Sequence, residues 1–231
     1  MSAQPSRELP ERRLRILRAP GGRYVRRKWR IREHGLNHVP TSGAAIFASN
    51  HIGWLDGPLL ISTAPRPLHA LVKKEMFSSR SGLLLRATGQ ISIERHVIDS
   101  GAIRTAVDAL SADQALVIFP EGRRTDGEFT DIKPGVGYLA LVSGAPVVPV
   151  AIFGTRLAGE PYESRPAKKQ QIDIVYGKPF WFAPLDAPRT AADVLEATTQ
   201  IHDRLRSHIK IAKELTNLTL PGPAQDGDDD E

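Results

Sequence analysis

The run Ala115-Leu-Val-Ile-Phe119 constrains this chain most, because its apolar residues are consecutive and leave no polar face. A strand of that kind is buried on both sides, as in parallel sheets covered by helices above and below. Around it the pattern alternates. Trp29 and Ile31 share one face and Arg30 and Arg32 the other, which reads as a half-buried strand ended by Gly35. Ala44–Ala48, Ile91–Glu94, Val147–Phe153 and Gln171–Tyr176 read as further strands. Helices are expected over Pro58–Thr63, Lys73–Ala87 (ended by Gly89), Val136–Val142 and Thr190–Leu215. Another is expected after Ser100 as N-cap, with Ile103, Ala106, Val107 and Leu110 on one face. Strands alternating with helices predict a single α/β domain, its sheet mixed but mostly parallel and flanked by helices. A length of 231 residues suits one such domain with extensions.

The extensions carry opposite charge. Up to Arg32 there are 11 cations against Glu8 and Glu11, whereas Asp226, Asp228, Asp229, Asp230 and Glu231 make an acidic tail. We therefore divide the chain into a basic N-terminal extension (1–27), an α/β domain (28–215) and an acidic disordered tail (216–231). Pro20-Gly21-Gly22 is expected to close off the head. Within it, Leu9, Leu14, Ile16 and Leu17 interleave with arginines, which fits either a short helix on an anionic membrane surface or a solvated arm. The absence of cysteine excludes disulfides, thiolate metal sites and a cysteine nucleophile. The head has no apolar core like that of a signal peptide. Gly135–Thr155 is uncharged and long enough to suggest a membrane span, but Gly144, Pro146, Pro149 and Gly154 interrupt it. It reads as a short helix, a turn and a buried strand.

Two short strings carry chemistry. In Asn50-His51-Ile-Gly-Trp-Leu-Asp56 an imidazole precedes a carboxylate by five residues. A neutral histidine is the commonest general base near pH 7, and a carboxylate on its far nitrogen fixes the tautomer. In an unbroken helix these side chains would stand about 140° apart. Their meeting requires an irregular turn, for which Gly53 is placed. The end of a strand ahead of a helix is also where α/β proteins place ligands. Alone the pair also fits a structural role, with Asn50 a turn or cap residue and Trp54 a packing one.

The second string, Phe119-Pro-Glu121-Gly122-Arg123-Arg124-Thr125, follows the buried strand. Pro120 and Gly122 turn the chain at the strand end, and guanidinium groups bind phosphate through paired, planar hydrogen bonds. Arg95, just past another short strand, is placed to join them; each arginine also has Glu94, Glu121 or Asp126 available as an ordinary ion-pair partner. Gly135-Val-Gly137-Tyr-Leu-Ala140 has the spacing of a dinucleotide fingerprint but no strand directly before it, and reads as a glycine-opened helix.

These motifs, in this order, resemble the glycerolipid acyltransferases of the 1-acylglycerol-3-phosphate acyltransferase family. Asn50, His51 and Asp56 match that family's first motif; Gly89 and Ile91-Ser-Ile-Glu-Arg95 match its second. Phe119 through Thr125 match the third and Val148-Pro149-Val150 the fourth, so the resemblance covers about residues 30–185. Arg123 stands where threonine is usual, Thr125 where serine is, and Glu94 where aspartate is. Many relatives also begin with a membrane-spanning helix, which is not evident here.

The resemblance implies direct acyl transfer. His51, oriented by Asp56, is the expected base on an acceptor hydroxyl. Asn50, Arg95, Glu121, Gly122, Arg123 and Arg124 are the expected substrate-binding residues. The expected donor is acyl-CoA or acyl carrier protein. The expected acceptor is a lysophospholipid, foremost 1-acylglycerol 3-phosphate, with glycerol 3-phosphate or another lysolipid as alternatives. No metal, cofactor or nucleic-acid partner is expected. The place of action is peripheral, at an anionic membrane surface on the cytoplasmic face, without a transmembrane helix or signal peptide. No Gly-x-Ser-x-Gly elbow suggests a serine hydrolase. A reading from another class is a non-catalytic module that binds anionic membranes or nucleic acid through the basic head.

Overall fold

The structure, a computed structural model, describes residues 9–95, 97–183 and 190–224. Its strands are β1 (Arg30–His34), β2 (Ala45–Ser49), β3 (His69–Lys73), β4 (Ile91–Ile93), β5 (Ala115–Ile118), β6 (Val147–Phe153) and β7 (Gln171–Tyr176). Its helices are α1 (Glu11–Lys28), α2 (Asp56–Thr63), α3 (Gly82–Ala87), α4 (Ser100–Ser111), α5 (Gly135–Ser143) and α6 (Ala191–Thr216). The strands form one sheet in the order β1-β7-β6-β2-β5-β3-β4. Every neighbouring pair is parallel except β6 and β7. The carboxyl ends of β2, β3, β4, β5 and β6 therefore lie along one edge.

The fully apolar strands earn their central positions. In β2, Ile46 and Ala48 face a core shared with Ala106 of α4, Leu139 of α5 and Leu205 of α6. Ala45 and Phe47 face the opposite core, with Val25 of α1 and Leu59 and Leu60 of α2. The strand β5 divides in the same way, Leu116 and Ile118 against Ala115 and Val117. This is the two-sided cover that an unbroken apolar run demands. The uncharged stretch around Gly144 is α5, a left-handed C-cap glycine and β6, as expected for an interrupted segment.

Two expectations give way. Pro20-Gly21-Gly22 does not end the basic head: α1 runs through it to Lys28, burying Leu14 and Val25. A side chain at Gly22 would lie 2.6 Å from the Ser62 carbonyl, so the glycine lets α1 lie close on α2. Arg18 then donates to the carbonyls of Ile61 and Ala64 at the end of α2. Packing has overridden propensity here; each buried aliphatic contributes roughly 1.5–3 kcal/mol. Nor is Lys73–Ala87 one helix. His69–Lys73 is a strand paired with β4 and β5, followed by a 3₁₀ turn at Lys74–Ser78 and only then α3. The Ser79 hydroxyl donates to the Met76 carbonyl, the kind of side-chain competition that breaks a helix. A smaller correction concerns α4, whose N-cap is Asp99, accepting from the Ala102 N–H at 2.9 Å, rather than Ser100. The acidic residues 226–231 lie outside the described residues.

Candidate active site

Directly after β2 the chain leaves the sheet as Asn50-His51 and turns through Gly53 into α2, whose first residue is Asp56. The irregular turn brings the imidazole and carboxylate together: His51 Nδ1 donates to Asp56 Oδ2 at 2.8 Å. That oxygen also accepts from the backbone N–H groups of Ile52 (2.7 Å) and Gly53 (2.9 Å). Asp56 Oδ1 accepts from the Thr155 hydroxyl at 2.5 Å. A fully buried carboxylate is tolerable only with such a set of donors, and its place in the first turn of α2 adds a favourable helix dipole. With Nδ1 committed to Asp56, the nitrogen left to meet a proton is Nε2, on a side chain that keeps 22% of its surface exposed.

The turn after β5 closes on the same histidine. Phe119 stacks on the His51 ring with centroids 4.2 Å apart. Glu121 Oε2 accepts from the His51 backbone N–H at 2.8 Å, and its other oxygen accepts from the Thr125 hydroxyl. The Thr125 N–H reaches the His51 carbonyl at 2.7 Å. Burial pushes the Glu121 carboxyl up to about 8, against the pull of these two donors. Glu121 thus holds the histidine's backbone. Gly122 adopts φ 73°, a conformation that suits glycine, and its carbonyl accepts from Arg95 Nη1 at 3.1 Å.

The other expected residues differ in placement. Asn50 is wholly buried, and its side chain exchanges two hydrogen bonds with the backbone of Ile152: Nδ2 to the carbonyl at 3.0 Å, and the Ile152 N–H to Oδ1 at 2.7 Å. Its amide continues the β2–β6 pairing past the last strand residue. Arg124 donates to Glu163 Oε1 at 2.6 Å and to the Tyr162 carbonyl, while Arg123 is exposed. So His51, Asp56, Phe119 and Glu121 are in direct contact, and Arg95 joins them through Gly122.

Sequence reasoning missed Thr155 and Arg156, which follow β6 on the same edge. Arg156 is buried, with Nε donating to the Ile52 carbonyl at 2.6 Å and Nη2 to those of Thr125 (3.1 Å) and Gly222 (2.5 Å). Nη1 donates to the Glu160 carbonyl at 3.1 Å, and the guanidinium sits 4.8 Å from the centre of the Tyr162 ring. Burial lowers it from its ordinary value. The available signal was positional: polar residues just past a central apolar strand, where the other motifs also fall. Among the described residues, no group of three or more His, Asp or Glu side chains converges as metal ligands.

The turn after β2, with His51 bonded to the buried Asp56, thus meets the turn after β5, which carries Arg123 and Arg124. A protein-family model described as Acyltransferase matches residues 30–153, over half of the chain, and the chain belongs to that family: it is an acyltransferase. It is 27% identical over 175 residues to the 1-acyl-sn-glycerol-3-phosphate acyltransferase of Bacillus subtilis, covering 74% of this chain and 85% of that protein. It is 33% identical to the enzyme of the same name from Limnanthes douglasii, covering 55% of this chain and less than half (47%) of that protein's length. It is 37% identical over 112 residues to the lyso-ornithine lipid O-acyltransferase of Pseudomonas aeruginosa, covering 46% and 42%. The fold matches the crystal structure of the 1-acyl-sn-glycerophosphate (LPA) acyltransferase PlsC from Thermotoga maritima with a TM-score of 0.61 at 18% identity, covering 85% of this chain and 79% of that one.

Proposed function

We propose that this acyltransferase moves a fatty acyl group from an acyl thioester, acyl-CoA or acyl carrier protein, to the free hydroxyl of a lysophospholipid. The favoured acceptor is 1-acylglycerol 3-phosphate and the product phosphatidic acid, in line with the names of the Bacillus and Limnanthes relatives. His51 Nε2 takes the hydroxyl proton, and the oxygen attacks the thioester carbonyl carbon. The carbon–sulfur bond breaks, and the thiolate leaves with the proton returned from the imidazolium. Asp56 steadies that imidazolium. Arg95, Arg123 and Arg124 bind the acceptor's phosphate, while Glu121 and Gly122 shape the turn that carries Arg123 and Arg124 and that Arg95 meets at the Gly122 carbonyl. The enzyme works peripherally at the cytoplasmic face of a membrane; among the described residues, no helix is long and apolar enough to cross one.

The observation that carries this reading is the 2.8 Å contact between His51 Nδ1 and the buried Asp56. Purified protein given acyl-CoA should release free thiol only when 1-acylglycerol 3-phosphate is present, and His51→Ala should nearly abolish the release. Release that ignores the acceptor would indicate a thioesterase and overturn the proposal. The 37% identity to a lyso-ornithine lipid enzyme singles out a second acceptor, whose headgroup has no phosphate. Preference for lyso-ornithine lipid over 1-acylglycerol 3-phosphate in the same assay would replace the favoured acceptor and leave the mechanism intact.

A further inference from the structure

Between the ends of β3 and β4 the chain exposes aliphatic side chains that no part of the proposed chemistry uses. Leu83 on α3 is 79% exposed and Ile98, past β4, is 89% exposed. Met76, Leu84 and Val97 beside them are each about half exposed or more. Singly exposed leucines need no explanation, but a concentration of them beside a site does.

These side chains are held in place. Lys73 and Ile93 are paired across the parallel strands β3 and β4, so the segments that follow leave the sheet at the same edge as His51 and Glu121. The Lys74 ammonium meets Glu94 Oε2 at 3.1 Å, tying the 3₁₀ turn to the loop that carries Val97 and Ile98. On the other side α3 is pinned to that turn. Arg86 Nη1 donates to the Phe77 carbonyl at 2.8 Å, and a side chain at Gly82 would lie 2.0 Å from the same oxygen.

Charge points to the occupant. From residue 73 to 99 the cations Lys73, Lys74, Arg80, Arg86 and Arg95 outnumber the anions Glu75, Glu94 and Asp99. Exposed aliphatic side chains in a segment with an excess of cations suit the boundary between headgroups and acyl chains of an anionic bilayer. A protein partner is the poorer fit, because five aliphatic side chains fall short of the about 800 Å² per partner that a stable protein interface buries. The basic helix α1 also exposes Ile16 and Tyr24, yet it lies over the far half of α2, with Gly22 against Ser62 and Arg18 on the Ala64 carbonyl. That half points away from the edge that bears Asp56.

We propose that Met76–Leu84 together with Val97 and Ile98 forms a membrane-docking lip that inserts into an anionic phospholipid surface and brings the catalytic edge down onto it. The proposal rests on the lipid-acceptor reading, since a lysolipid would then enter from the bilayer beside Arg95. The test uses the full chain with vesicles of equal parts phosphatidylcholine and phosphatidylglycerol, comparing wild type, Leu83→Asp with Ile98→Asp, and, as the rival surface, Ile16→Asp with Tyr24→Asp. Circular dichroism checks that each variant is folded, and Leu83→Ser with Ile98→Ser replaces an unfolded one. The lip variant should lose about tenfold or more of its vesicle-bound fraction. It should lose a similar factor of turnover on acceptor embedded in vesicles. On a short-chain, water-soluble lysophosphatidate it should stay within about twofold of wild type.

Undiminished vesicle binding by the lip variant would overturn the proposal, as would a loss confined to the α1 variant. A change of oligomeric state with vesicle binding intact would make the lip a self-association surface and also overturn it. If wild type acylates no lysolipid while the lip variant still fails to pellet with vesicles, the docking surface stands and the acceptor reading falls.

Discussion

Among the described residues, two histidine–aspartate pairs are hydrogen-bonded at nearly equal length, and they differ in what surrounds them. His34 Nε2 lies 2.7 Å from Asp173 Oδ1 across β1 and β7, and His51 Nδ1 lies 2.8 Å from Asp56 Oδ2. Both aspartates are buried and both histidines are partly exposed. The surroundings differ. Asp173 takes one further bond, from the Gln171 side chain, whereas Asp56 takes two backbone N–H groups and a hydroxyl. The His51 ring is stacked on Phe119 and its backbone N–H is held by Glu121. His34 sits on β1, the strand at one margin of the sheet, in regular parallel pairing with β7. A histidine beside a carboxylate is common; His51 differs in that its ring and backbone are both held from the end of β5, while its partner is held from the ends of β2 and β6.

That contrast can be broken most forcefully at the base itself. His51→Ala should lower acyl transfer by about 10³-fold, while His34→Ala should leave it within about twofold, both read as thiol release from acyl-CoA with saturating acceptor. Equal losses in the two variants would remove the distinction. Asp56→Asn comes next, with a fall of about 10²-fold or more in kcat, because an amide no longer fixes the imidazole tautomer or steadies its charged form. Thr155→Val should cost about tenfold, leaving Asp56 Oδ1 without its hydroxyl donor. A kcat effect with unchanged KM would mark Thr155 as positioning the base rather than binding acceptor.

The last prediction concerns stability rather than turnover. Glu121 titrates higher in the folded protein, at about 8 against an ordinary 4.5, so between those values the folded state holds a proton that the unfolded chain has released. Stability should therefore fall as pH rises through that window, approaching about 1.4 kcal/mol per pH unit from this group. Urea titrations of wild type and Glu121→Gln across the window would show the variant lacking that component. Parallel slopes would mean Glu121 stays ionised on its two donors.

What the chain revealed in advance was local. The apolar run at Ala115–Phe119 and the strings around His51 and Glu121 are contiguous, and the structure brings those strings into one site. What it concealed acts over distance. Thr155 reaches Asp56 across 99 positions, and Asn50 pairs with Ile152 across 102. No periodicity or spacing rule encodes such contacts. The helix α1 was hidden for another reason: Pro20-Gly21-Gly22 reads locally as a breaker, and only the nearness of Ser62 shows that a missing side chain there is a packing device. The stretch from His69 to Ala87 hides its break because its apolar residues Leu71, Val72, Met76 and Phe77 fit a helical window as well as a strand followed by a turn.

Arg156 has one more consequence. Its guanidinium gathers carbonyls from loops around positions 52, 125, 160 and 222. As the nascent polypeptide emerges, the first three can be drawn together soon after the arginine itself, but the fourth is made some 66 residues later. The guanidinium's full set of carbonyls is thus complete only once that later segment has been made, like an arch that waits for a stone cut after the others.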